Sequence, residues 1–233
     1  MQATFDHTET VGPNIHTLWF QPERPLRFVA GQFVELYLPG TFAGNNFRQF
    51  TISSSPHDSL LGITVRFDAV QLSAYKRALA ALQPGDHVRV LEPMGDFVLP
   101  KASSIPLVFV AAGIGITPFK SMLEWLTEEH EQRPIQLLQA ARTPDLLLFQ
   151  DVIKAYGIVP TLLVSQPDTF WHGTTGHLTA GHILEIMPSD PETLIYIAGP
   201  ETLVDTLRVG LTAQGVDNAR IVTDRFTGYQ ATY

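Results

Sequence analysis

The run Leu107-Val-Phe-Val-Ala-Ala112, followed at once by Gly113-Ile-Gly115-Ile-Thr117-Pro118, constrains the fold more than any other part of the chain. Six apolar residues in a row read as a strand buried on both faces, the kind found in parallel sheets. Gly113 and Gly115 permit a tight turn and a close approach of ligand to backbone. Thr117 is a favourable N-cap and Pro118 a favourable first helical residue. Beyond them Phe119, Met122, Leu123 and Leu126 recur at helical spacing and give that helix one apolar stripe. Strand, glycine turn and helix start together make an anion site, because backbone N–H groups and the helix dipole both favour phosphate. The pattern departs from the dinucleotide fingerprint Gly-x-Gly-x-x-Gly, with Pro118 where the third glycine would stand.

The rhythm of the chain changes around this element. Ahead of it, Ile15 to Phe20, Gln32 to Leu38, Arg48 to Ser53, Gly62 to Phe67 and His87 to Leu91 all look extended, separated by Gly, Pro and Asn clusters. One helix interrupts, from Ser73 as its cap to about Leu82, before Pro84-Gly85-Asp86. Short strands with a single helix predict a small antiparallel barrel. From Pro106 onward strands and helices alternate, which predicts a parallel sheet wound on both sides. Its later strands are expected at Ile135 to Ala140, Thr161 to Ser165, Leu194 to Ala198 and Arg220 to Thr223, with a helix from Glu201 to Leu211. Two domains follow, 1–102 and 103–233.

Composition narrows the function classes. At 45% hydrophobic and 16% charged, the 233 residues are of globular type. No apolar run has membrane-spanning length, and Met-Gln-Ala-Thr-Phe-Asp lacks the regions of a signal peptide, so a cytoplasmic protein is expected. With no cysteine, the chain can form no disulfide, thiolate nucleophile or cysteine-ligated iron–sulfur cluster. A net charge of −8 argues against nucleic acid as partner. His172, His177 and His182 lack a helical two-ligand spacing with a carboxylate, so no metal site is expected.

The stretch Arg48-Gln49-Phe50-Thr51-Ile52-Ser53-Ser54 carries chemistry on one short extended segment. Strand alternation sends Arg48, Phe50, Ile52 and Ser54 to one side and Gln49, Thr51 and Ser53 to the other. The forked donors of arginine suit a phosphate or pyrophosphate. A nearby aromatic and hydroxyl could cover and hydrogen-bond a flat heterocycle. An ordinary strand with a surface arginine reads the same way. Taken in order with Gly113-Ile-Gly115-Ile-Thr117-Pro118 and then Ala198-Gly199-Pro200, however, the stretch resembles the ferredoxin–NADP⁺ reductase superfamily of flavoenzymes, over essentially the whole chain. Two positions depart from the family pattern: Phe50 stands where tyrosine is usual and Ala198 where cysteine is usual.

The resemblance implies FAD (with FMN the lesser alternative) held by the first half and NAD(P)H by the second. It places Arg48 on the flavin phosphates, with Gln49, Phe50 and Ser54 beside the cofactor and Thr51 near flavin N5 or O4. Val65, Arg66 and Phe67 would line the flavin, and Gln71, Leu72 and Ser73 its pyrophosphate. The turn Pro93-Met94-Gly95-Asp96-Phe97 would close the barrel. In the second half, Gly113, Gly115, Ile116, Thr117 and Pro118 would take the nicotinamide cofactor's pyrophosphate. Arg142 would lie at its adenosine ribose, leaving NADH and NADPH undecided, and Gly199 and Pro200 at the nicotinamide. Asp224-Arg-Phe226 resembles the family's terminal Glu-x-Phe; Phe226 would lie at the flavin edge, and Tyr229 or Tyr233 would be the stacking ring.

The implied reaction is hydride transfer from nicotinamide C4 to flavin N5, in a cleft between the domains, with Thr51, Phe226 and Tyr229 nearest the chemistry. Electrons would then pass to a separate acceptor: a ferredoxin, a flavodoxin, an oxygenase or redox domain, or a small molecule. Lys76 and Arg77 are the candidate cations for an acidic partner, or simply a solvated helix face. Two other functions remain open, a reductase that releases reduced flavin and a non-catalytic electron-transfer or regulatory subunit. A monomer is the simplest state.

Overall fold

The computed structural model describes residues 1–40, 46–67 and 72–226. It divides into two units, Met1–Val98 and Leu99–Tyr233. The first holds β1 (Gln2–Gly12), β2 (Ile15–Pro22), β3 (Phe33–Tyr37), β4 (Phe47–Thr51), β5 (Leu61–Arg66), α1 (Ala74–Ala80) and β6 (His87–Val90). The strands lie in the order β4-β3-β6-β1-β2-β5, every pairing antiparallel. The two edge strands then meet: Ile52 bridges Ile63, and Ser53 N donates to Gly62 O at 2.9 Å. That contact closes the sheet into a barrel and leaves no open edge at the seam. Alternate residues fill the interior, among them Val34 and Leu36 of β3, Leu18 and Phe20 of β2, and Ile63 and Val65 of β5.

Buried hydroxyls run along the seam. Thr17 and Thr64 are bonded at 2.9 Å, Thr64 Oγ1 donates to Ser53 Oγ at 2.9 Å, and Ser53 Oγ donates to Gly62 O at 3.1 Å. Gly62 N donates to Ser54 Oγ at 3.0 Å. Each polar group taken from water here has a partner, which is the condition for burying it.

The barrel differs from expectation at its first strand. β1 was not anticipated, because only Ala3 and Phe5 along its length are buried and the rest is mostly polar and exposed or half-exposed. Backbone pairing to β2 and β6 forms it, where side-chain alternation gives little signal.

The second unit contains β7 (Leu107–Ala112), α2 (Thr117–Glu128), β8 (Ile135–Ala141), α3 (Gln150–Tyr156), β9 (Thr161–Val164), β10 (Thr174–Thr175), α4 (Ala180–Ile186), β11 (Leu194–Pro200), α5 (Glu201–Ala213) and β12 (Ile221–Phe226). Its strands run parallel in the order β10-β9-β8-β7-β11-β12. Val108, Val110, Ile195 and Ile197 on one face pack with Ile183 of α4 and Val204, Leu207 and Leu211 of α5. On the other face Phe109 stacks on Phe119 of α2, with ring centroids 4.5 Å apart. Residues of β7 are therefore buried on both sides, which is why the strand can be apolar throughout.

The start of α2 corrects one expectation. A 3₁₀ turn, Gly113–Ile116, precedes the helix, and Thr117 is already helical at φ −59°, ψ −45°. The N-cap position is Ile116, not Thr117, and the Thr117 hydroxyl donates back to Ile114 O at 3.0 Å. Among the described residues no helix is long and apolar enough to cross a membrane.

Candidate functional site

Two groups of the expected residues come together, one in each unit. In the barrel, Arg48 and Phe50 project from the same face of β4 toward α1. Phe50 stacks on Tyr75 (centroids 6.3 Å apart, 27° between planes), and the Arg48 guanidinium lies over the same Tyr75 ring at 5.1 Å. Arg48 is exposed, and its Nη1 donates to Phe47 O at 2.7 Å. Gln49 leaves by the opposite face, where its Nε2 donates to Glu35 Oε1 at 3.3 Å. The alternation anticipated along this strand holds for these three residues. Thr51 is half-buried at the end of β4. Ser54 is fully buried in the barrel seam, accepting from Gly62.

Tyr75 was not singled out in the sequence. It is 1% exposed, and its hydroxyl donates to Leu36 O at 2.6 Å. Burial pushes the phenol well above its ordinary range, partly offset by the nearby Arg48. An aromatic two residues beyond the helix cap is the signal that could have marked it.

The remaining barrel candidates border α1. Val65 is fully buried, whereas Arg66 and Phe67 are half-buried. Phe67 N donates to Asn14 O at 2.7 Å. Ser73 caps α1, accepting from Lys76 N at 3.2 Å. Lys76 Nζ donates to Arg66 O at 2.9 Å and Arg77 Nη1 donates to Leu72 O, so both cations hold the backbone that leads into their own helix. Gln71 lies outside the described residues. Gly95 adopts φ +110°, and a Cβ there would stand 3.0 Å from the Phe33 ring. Together with buried Phe97 it has the structural part expected of that turn. A groove of about 600 Å³ between the Gln21–Phe28 segment and Pro56–Leu61 contains none of the expected site residues.

In the second unit, the strand order runs from β7 outward to β8 and β9 on one side and to β11 and β12 on the other. The reversal falls between β7 and β11, and open α/β sheets bind ligands outside the carboxyl ends of the strands at such a point. The Gly113–Ile116 turn follows β7 there, and Gly199 and Pro200 end β11 beside it. A Cβ on Gly115 would stand 2.1 Å from Ala198 O, and one on Gly199 would stand 2.8 Å from Ala112 Cβ. The missing side chains let the ends of β7 and β11 approach each other. Residues from Gly113 to Pro118 are all buried. Asp224 and Phe226 extend the edge on β12, paired with Ala198 and Pro200. Tyr229 and Tyr233 lie outside the described residues.

Arg142 follows β8 at the same carboxyl edge. It is exposed, with Nε donating to Gln166 Oε1 at 2.8 Å. Beside it a cavity of about 60 Å³ is lined by Ala140, Ala141, Ser165, His177 and others. The Ser165 hydroxyl is buried there with no hydrogen-bond partner among the described residues. An orphaned hydroxyl of this kind suits a polar ligand group. No local pattern in the sequence marked Ser165 or Gln166.

Comparison with known proteins gives the family and the fold likeness. Residues 109–208 match the family model of the oxidoreductase NAD-binding domain. The chain is 30% identical to ferredoxin–NADP reductase B of Sorangium cellulosum (strain So ce56), over 78% of each protein. It is also 30% identical to the reductase subunit of stachydrine N-demethylase of Rhizobium meliloti (strain 1021), over 92% of this chain and 63% of that protein. The chain thus spans less than two thirds of that relative's length. The FAD/NAD-binding domain of a nitric oxide dioxygenase from Vibrio cholerae superposes with a TM-score of 0.81 at 20% identity, covering 97% of this chain and 98% of that one.

Proposed function

The chain belongs to the ferredoxin–NADP⁺ reductase superfamily, and from that premise we propose that it is an FAD-dependent NAD(P)H oxidoreductase that hands electrons to a separate acceptor. In this reading residues 1–102 serve the flavin and 103–233 the nicotinamide nucleotide. The observation that carries it is the Gly113–Ile116 turn at the point where the order of the parallel sheet reverses, beside Gly199 and Pro200. The barrel adds an exposed arginine held over a buried ring, which fits a flavin diphosphate. FAD, when bound, supplies the chemistry that takes a hydride from reduced nicotinamide and releases electrons onward.

The protein's own contribution is binding and orientation. Arg48 would grip the diphosphate, and the Phe50 ring would border the flavin without the hydroxyl a tyrosine brings. The Gly113–Pro118 turn would receive the nucleotide's pyrophosphate, while Arg142 and the orphaned Ser165 hydroxyl would face its adenosine ribose. With no cysteine, these 233 residues hold no thiolate-ligated cluster, and the acceptor is proposed to be of the ferredoxin or oxygenase kind. The cytoplasm, which supplies reduced nicotinamide, is the proposed compartment.

An absorption spectrum tests this. Protein loaded with FAD should lose its visible flavin bands on anaerobic addition of NADH or NADPH. If neither nucleotide bleaches the bands, or if the protein retains no flavin at any concentration, the proposal is wrong.

A further inference from the structure

We propose that Tyr75 is the positioning residue for Arg48, fixing both the backbone and the guanidinium of the arginine that meets the flavin diphosphate. This rests on the flavin reading above and deepens it, because the guanidinium that donates to Phe47 O also lies over a ring supplied by α1.

The geometry has two parts. The first is the ring. A guanidinium over an aromatic face is attracted to the ring quadrupole, and Arg48 lies 5.1 Å from the Tyr75 centroid. Phe50 stacks on the same ring, so the two β4 side chains on this face share one support from α1. The second part is the hydroxyl. It donates to Leu36 O at 2.6 Å. Leu36 and Arg48 are cross-strand partners in the β3–β4 ladder. The phenol therefore ties α1 to the carbonyl of the residue paired with the arginine. Tyr75 itself is 1% exposed, so it cannot drift. An exposed arginine in water samples many rotamers, and holding it in one lowers the entropy lost when a diphosphate binds.

A residue that acted only by filling the barrel would affect all flavins alike. A residue acting through Arg48 affects only ligands with a diphosphate. The decisive experiment measures FAD and riboflavin binding to the 233-residue chain as wild type, Tyr75→Phe, Arg48→Ala and the double variant. Tyr75→Phe keeps the ring and loses only the hydroxyl. It should weaken FAD binding roughly five- to tenfold, the size of one lost hydrogen bond, and leave riboflavin binding unchanged. In the Arg48→Ala background the same change should have no further effect on FAD. Tyr75→Leu, which also removes the ring, should weaken FAD more than Tyr75→Phe does. If it does not fold, the phenylalanine cycle decides without it. Equal weakening of FAD and riboflavin, or a full Tyr75→Phe effect in the Arg48→Ala background, overturns the inference. So does an unchanged FAD affinity in Tyr75→Phe, while flavin binding by the wild type leaves the function standing. A wild type that binds no flavin overturns both.

Discussion

Gly115 shows how a motif residue can answer to the fold before it answers to a ligand. The sequence suggests room for close approach, and the backbone that approaches is that of Ala198 and Gly199. A methyl group there would stand 2.1 Å from a carbonyl oxygen, and neither side of that contact is a flexible side chain. Gly115→Ala should therefore destabilise the second unit by about 3 kcal/mol, in line with overpacking of a tight interior. Urea unfolding would measure it; a change within error would mean the ends of β7 and β11 part easily. The residue pattern of the β4 motif was more legible. Arg48 and Phe50 share a face and Gln49 takes the other because strand alternation is local. Tyr75 and Ser165 were not legible, since what makes each notable is its surroundings from distant parts of the chain: Arg48 and Phe50 for one, the end of β8 and the Gly176–Leu178 segment for the other.

At the level of elements, agreement follows how much of the signal is side-chain burial. β7 matches its expected limits because every residue in it is buried. The apolar stripe of α2 is buried at Phe119, Met122, Leu123 and Leu126, as its spacing requires. β1 and the two-residue β10 were missed, because exposed polar strands are held by backbone pairing that leaves no hydrophobic period. Thr117 went wrong for another reason: the 3₁₀ turn tightens the chain after β7 and brings the helix start forward by one residue. Side-chain capping occurs elsewhere, at α4, where Thr179 Oγ1 accepts from His182 N and Thr179 N donates to His182 Nδ1. Thr179→Ala should cost about 1 kcal/mol. Thermal unfolding with and without the change would show it, and no shift in Tm would mean that α4 is held by its packing alone.

For the whole molecule, buried phenols set a limit on alkaline stability. Tyr196, 2% exposed on β11, has its pKa pushed up to about 12 by burial, partly offset by Arg133. A folded-state value above the unfolded one of about 10 means its contribution is complete below pH 10 and is lost as pH rises toward 12. The loss amounts to roughly 2–3 kcal/mol over that window. Tyr75 acts in the same direction. Unfolding free energy should fall above pH 10, and Tyr196→Phe should flatten that fall; identical slopes for the two proteins would contradict the assignment. The division into an antiparallel half and a parallel half could be read from the chain alone, because hydrophobic periodicity and turn residues act over a few positions at a time. Closure of the barrel through Ile52 and Ile63, the reversal of strand order between β7 and β11, and the support of Arg48 by Tyr75 emerged only on folding. Each joins groups from separate parts of the chain, and no local pattern of residues encodes which distant partner a surface will meet.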